Sequence, residues 1–191
     1  MRKSVVALGA VLALIGIGVA AIPFAESFAA SRLKAGLAQN GVEVETVTVG
    51  LLDRSIALRN VAGGPNGELK VEEWRASGLA WPLDELLKGR LPFRGLSWGD
   101  PLHVARLHLR NFRLAQPDAG NSWTIGELTA INIDLPRYDS TYEGAFRNEV
   151  MMARLLGALS VDRLEQSGFS YTSLEVMTQS VGRLTVTGYV R

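Results

Sequence analysis

The longest apolar run of the chain stands at its start. Arg2 and Lys3 precede VVALGAVLALIGIGVAAIPF, Val5 to Phe24, 20 residues without a charge or a strongly polar side chain. As a helix, a run of this length rises about 30 Å, the thickness of a bilayer core. A cleaved signal peptide competes with this reading, with Ser27, Phe28 and Ala29 as a small-x-small cleavage site. Signal peptides carry an apolar region of only about 7–15 residues. The pattern therefore predicts an uncleaved transmembrane anchor over residues 1–25. Positive residues precede the run, which places the N-terminus in the cytoplasm and the bulk across the membrane. Gly9 with Ala13, and Gly16 with Ala20, have the small-xxx-small spacing that packs against another membrane helix.

Residues 26–40, ESFAASRLKAGLAQN, change to a helical period. Phe28, Leu33 and Leu37 share a broad apolar side, and Asn40 with Gly41 ends the segment. This predicts an amphipathic linker helix leading into a β-rich domain over residues 41–191.

Beyond residue 41 the period becomes two and one short unit recurs. It reads IALRNV (Ile56 to Val61), LHLRNFRL (Leu107 to Leu114), LTAINIDL (Leu128 to Leu135), LEQSGFSY (Leu164 to Tyr171) and LTVTGYV (Leu184 to Val190). WRASGLAW (Trp74 to Trp81) is a looser copy. Alternation puts Leu107 and Leu109 on one strand face but throws Phe112 and Leu114 onto the other. One extra residue at Arg110 and Asn111 restores them to the first face. A β-bulge inserts such a residue, and Asn and Gly best tolerate its left-handed geometry. Each unit is expected to be a strand, a bend and a strand with one apolar face throughout.

The Asn or Gly positions are 60, 78, 111, 132, 168 and 188, at successive spacings of 18, 33, 21, 36 and 20. Short steps suit hairpins, and long steps leave room for a helix. The first fits Pro82 to Gly89, with Pro in the first turn and Gly at the end. The second fits Ala145 to Leu159. The expected fold is mainly β (α+β): a transmembrane helix, then a curved antiparallel meander of seven to eight bulged strands with two inserted helices. Self-similarity of this kind marks a quasi-repetitive architecture.

Composition narrows the function. About 165 residues beyond the anchor suffice for one domain with its own core. Lys+Arg is 20 and Asp+Glu is 19, a net charge of +1, which lacks the basic excess of a nucleic-acid binder. Cysteine is absent, so disulfides, thiolate metal sites and cysteine nucleophiles are excluded. His103 and His108 are the only histidines, and strict alternation puts them on opposite faces of one strand. Glu72, Glu73, Asp84, Glu85, Asp134, Asp139 and Asp162 are scattered carboxylates. No Gly-x-Ser-x-Gly elbow, phosphate-binding glycine loop or HExxH motif is present. No catalytic residue, metal or cofactor is expected. Arg106, Arg110 and Arg113, with His108, form the densest basic stretch and are candidates for contact with lipid headgroups or an acidic partner. Trp74, Trp81, Trp98 and Trp123 are expected in the core, with an apolar groove or a membrane-interface belt as the functional alternatives.

The order of parts resembles the start of AsmA-like and TamB-like bacterial envelope proteins. The likeness is carried by the apolar run, the helix ending at Asn40, the strand VEVETVTV from Val42 and the unit LLDRSIALRNV, Leu51 to Val61. The later units beginning Gly126-Glu127-Leu128 and Gly182-Arg183-Leu184 are similar to the family's strand repeats. The resemblance implies an inner-membrane, single-pass protein with its bulk in the periplasm and an apolar inner face that binds or conducts lipid acyl chains. Bridge-like members are several times longer, which fits either a stretch of a longer protein or a short relative with a local role. A type II secretion subunit of the GspN kind has a similar build and acts in assembly.

The expected lipid-binding residues are Leu58, Val61, Leu107, Leu109, Phe112, Leu114, Phe169 and Tyr171, with the membrane and phospholipid as partners. The alternative is a structural subunit of an envelope or secretion complex, joined to other envelope proteins through strand edges or the membrane helix.

Overall fold

The computed structural model describes residues 22–64, 68–80, 101–116, 120–137, 150, 153–154, 157–173 and 177–189. The predicted anchor lies almost wholly outside them, as does the predicted helix from Pro82 to Gly89. No described helix is long and apolar enough to cross a membrane. Within the second predicted helix, Val150, Ala153, Arg154, Gly157 and Ala158 are helical.

Helix α1 spans residues 22–39. It ends where Asn40 and Gly41 donate their backbone N–H groups to the carbonyls of Leu37 (2.9 Å) and Ala38 (3.1 Å), with Gly41 at φ 74°. Its buried stripe is Ala29, Leu33 and Leu37. Positions four apart drift by only about 40° around a helix, so these three form one narrow line. Phe28 does not belong to it. It is 44% exposed, with the Arg32 guanidinium 5.2 Å from its ring centre. Alanine at position 29 gives the sheet a flat surface to approach, and the larger Phe28 is left to one side.

Seven strands follow: β1 Val42–Gly50, β2 Ser55–Gly63, β3 Leu69–Ser77, β4 Leu102–Gln116, β5 Asn121–Leu135, β6 Ser160–Ser173 and β7 Met177–Tyr189. They form one sheet in sequence order, every neighbouring pair antiparallel. This is the meander that the alternating spacings predict. The short steps are the β2–β3, β4–β5 and β6–β7 hairpins, and the long steps are the connections after β3 and β5.

All six Asn or Gly positions take positive φ: Asn60, Asn111 and Asn132 near 50°, and Gly78, Gly168 and Gly188 between 62° and 68°. The predicted phase change is real, but it is not a bulge in which two residues oppose one. Val44 opposes Val61 and Thr46 opposes Arg59, so the register runs one-to-one past Asn60. The same holds past Asn111, where Arg110 opposes Glu127 and Phe112 opposes Ile125. The neighbouring strand carries a matching extra residue, so the two insertions cancel in register while both strands change phase.

The insertions line up across the sheet as two rows, here called creases. The first runs through Glu45, Asn60, Glu72, Asn111, Gly126, Gly168 and Gly182, by the pairings that flank them. The second runs through Gly78, Ala105, Asn132, Asp162 and Gly188. Left-handed residues occupy alternate strands in each row: β2, β4 and β6 in the first, β5 and β7 in the second, with Gly78 just past the end of β3. At a crease two successive residues face outward, and then inward alternation resumes. The inward residues of β4 are therefore Leu102, Val104, Leu107, Leu109, Phe112 and Leu114, a period of five.

Each left-handed asparagine is tied to a carboxylate directly across the crease. The side-chain amide of Asn60 donates to Glu45, that of Asn111 to Glu72, and that of Asn132 to Asp162 at 2.6 Å. Asn is among the few L-residues that visit this conformation, and the bond anchors its side chain there.

Candidate apolar binding face

The creases sort the side chains into two unlike faces. On the inner face, α1 lies over β1 to β3. Ala29, Leu33 and Leu37 pack with Val44, Val49, Ile56, Leu58, Val61, Val71, Ala76, Leu79 and Val104 into one core. Beyond α1 that face is mixed: Ala130 and Leu135 on β5 are buried, each 2% exposed, while the positions toward β7 are open. One row runs Val44, Val61, Val71, Phe112, Ile125, Phe169 and Val181. Its first three members are buried, the next three are half-buried and Val181 is 45% exposed. Leu184 (43%) and Met177 (49%) on β7 are similarly open.

The predicted lipid-binding residues divide along this gradient. Leu58 and Val61 are core residues, at 8% and 7% exposure, and have no free surface to offer a ligand. Alternation marks them as inward, but α1 covers them. Leu107, Leu109 and Phe112 are half-buried against the edge of that core. Leu114, Phe169 and Tyr171 are half-buried farther along. The Tyr171 ring stacks on Trp123 with centres 5.3 Å apart, and its hydroxyl reaches the Asn121 side-chain oxygen at 3.4 Å. Trp123, Ile125, Leu128, Val181 and Leu184 belong to the same face, although simple alternation does not single them out. The five-residue period of inward positions is the signal that finds them.

The outer face is a lattice of charges. Glu73 stands 3.8 Å from each of Arg59, Arg75 and Arg110. Arg110 also pairs with Glu72. Arg163 pairs with Glu165, which Arg183 approaches at 3.9 Å. The candidate residues Arg106, Arg110 and Arg113 are all exposed on this face. They look away from the apolar side. Arg110 is further occupied by its two glutamates.

His103 and His108 share the outer face, contrary to strict alternation, because the second crease at Ala105 and Arg106 lies between them. Each has its own carboxylate: His103 lies 3.4 Å from Asp134, and His108 lies 3.1 Å from Glu127. Among the described residues no group of His, Asp and Glu is placed to hold a metal ion. The side-chain hydrogen bond from Asn111 holds the Glu72 carboxyl below the usual glutamate range. The Arg110 charge and hydrogen bond act in the same direction, and desolvation opposes them. This is the pattern of a structural clasp at a crease, the acceptor engaged by two donors; Glu72 and Asn111, with Asn60 and Lys70, also line a shallow cleft of about 330 Å³. A cleft of about 360 Å³ lies between α1 and the β1 edge, lined by Glu26, Ser31, Lys34, Glu45, Thr46 and others. Lys34 there donates to the backbone carbonyl of Glu45 at 2.7 Å.

Comparison with known proteins gives no match: no protein family, no curated protein and no solved structure is similar to this chain. The likeness of its opening residues to AsmA-like and TamB-like proteins therefore stays a resemblance in the order of parts.

Proposed function

We propose that this chain is a membrane-anchored protein of the bacterial envelope that holds lipid acyl chains against the inner face of β4 to β7. The observation that carries the reading is the gradient along the row from Val44 to Val181, from a core sealed by α1 to half-buried Phe169 and exposed Val181, with Leu184 beside it equally open. Apolar contact of this kind supplies affinity at ~25 cal/mol per Å² of buried surface and needs no polar recognition. The apolar run from Val5 to Phe24 leads directly into α1, and α1 lies on the same face as the proposed ligand. An inner-membrane anchor with the sheet in the periplasm follows from the envelope resemblance. The contacts are Leu107, Leu109, Phe112, Leu114, Phe169 and Tyr171, joined by Trp123, Leu128, Val181 and Leu184. No catalytic step is assigned.

The test is native mass spectrometry of the full chain purified in detergent, with organic extraction of what co-purifies. Phospholipid should be present in stoichiometric amount. Phe169→Glu should lower it about tenfold or more, since a buried unpaired charge costs well over 1.4 kcal/mol. Ser170→Glu, on the outer face, should leave it unchanged, with the β-sheet signal of both variants intact by circular dichroism. Lipid-free wild type, or equal retention by both variants, overturns the proposal. A second reading, a structural or assembly subunit, is favoured by the long edge of β7, whose outer side has no strand among the described residues.

A further inference from the structure

From β3 to β7 the crease pattern makes each pair of neighbouring strands locally two-fold symmetric. Read from its own N-terminus, each of β5, β6 and β7 has a crease residue of ordinary φ and, six residues on, a left-handed one. These are Gly126 and Asn132, Asp162 and Gly168, and Gly182 and Gly188. Because neighbours run antiparallel, a left-handed residue of one of these strands meets an ordinary one on the next. The midpoint of each unit, three residues before the left-handed position, pairs with the midpoint of the next. Thr129 opposes Glu165, and Glu165 opposes Thr185. The unit is thus complementary to itself when reversed.

β7 presents this unit on an edge that the described residues leave open. We propose that β7 pairs with β7 of a second copy of this chain, antiparallel, about a two-fold axis through Thr185. In that register Gly182 of each copy meets Gly188 of the other, so both creases continue across the junction. Leu184 faces Val186 of the second copy, inward residue to inward residue, and Arg183 faces Thr187. No like charges meet. The same self-pairing at β3, β4 or β6 would set Arg75, His108 or Glu165 against itself, a destabilising arrangement directly across a strand pair.

The other edge is guarded. β1 has nine residues, no left-handed position, and Glu43 and Glu45, and Lys34 bonds to the backbone of Glu45. Charges on a short strand are a common defence against edge pairing. β7 has 13 residues with Arg183 as its one charged side chain. A two-fold axis normal to the sheet keeps the inner faces on one side. Both α1 helices then lie on that side, as two copies anchored in one bilayer require. The pairing does not depend on any lipid carried by the face.

The chain has no cysteine, so Thr185→Cys adds a single thiol. Full-length protein in detergent is oxidised with copper phenanthroline and run without reductant, and the mass of wild type is measured by light scattering. Thr185→Cys should cross-link to a dimer. Thr187→Cys alone should not, because its two copies lie about four residues, ~13 Å, apart, beyond disulfide reach. A mixture of Arg183→Cys and Thr187→Cys chains should cross-link. Wild type should have twice the chain mass, and Thr185→Lys should be monomeric. A monomeric wild type, or cross-linking as strong at Thr187→Cys as at Thr185→Cys, overturns the proposal.

Discussion

Gly168→Ala probes a crease position where the neighbouring backbone leaves little room for a side chain. Gly168 stands at φ +64°, and a Cβ added there would lie 3.2 Å from both the Cα and the N of Gly126. Two costs follow. Holding an alanine in the left-handed region costs about 1–2 kcal/mol. Forcing two paired backbones apart adds about 1–3 kcal/mol, the usual range for overpacking. A cost of about 3 kcal/mol, within the combined range, lowers the melting temperature of a domain this size by roughly 6–12 °C. Two other glycines separate the costs. Gly41 has φ +74° with nothing within 4 Å of an added methyl group, so Gly41→Ala carries only the conformational cost. Gly126 has ordinary φ but would place its Cβ 3.3 Å from the Ser167 carbonyl oxygen, so Gly126→Ala carries only the steric one. Thermal unfolding of the full chain in detergent, followed by circular dichroism, measures all three. If Gly168→Ala costs no more than Gly41→Ala, the close approach of the two strands is not what demands glycine at the crease.

Two further outcomes are expected. Leu33→Ala should destabilise by about 2–5 kcal/mol, the range for a leucine removed from a packed core. Phe28→Ala should change stability by less than about 0.5 kcal/mol, as surface substitutions do. Denaturant titration that ranked them the other way would place Phe28, not Ala29, on the buried line. The third concerns pH. The Glu72 carboxyl is held low first by the Asn111 hydrogen bond and also by Arg110. Its contribution to stability is therefore complete above the ordinary glutamate pKa and is lost as pH falls through the lower folded value. Asn111→Ala should raise the Glu72 pKa in an NMR titration and flatten this acid dependence. An unmoved pKa would remove the asparagine from the clasp.

The parts legible in the sequence are those where local physics restricts the residue type. Left-handed backbone admits chiefly Gly and Asn, so Asn60, Gly78, Asn111, Asn132, Gly168 and Gly188 announce the phase changes directly. Their spacing then separates hairpins from long connections. The alignment of the insertions across strands is different, because register depends on contacts distant in the chain. Without it, an insertion on one strand reads as a bulge, and His103 and His108 fall on opposite faces. The same limit explains Leu58 and Val61. A sealed core and an open trough need the same alternation, and only the docking of α1 decides between them. Phe28 looks like a buried position on α1 because a large apolar side chain outweighs alanine in any reading by hydrophobicity. The inner positions of β7 are hard to see because Val181 and Leu184 stand among threonines and glycines, although the five-residue period includes them.

The five-residue period also governs how the length of this protein can change. In an ordinary strand, removing two residues returns every side chain to its proper face. Here a strand that loses two residues sends its creases out of line with both neighbours, and losing one inverts a whole segment. Only a complete block of five leaves the faces and both crease rows in step. Across the sheet the natural increment is the hairpin, since left-handed positions alternate from strand to strand and two strands restore the alternation. The width and the length of the apolar face are thus set by separate integers, the blocks per strand and the strands per sheet. Strand length already varies within this one chain, from nine residues in β1 to β3 to between 13 and 15 in β4 to β7.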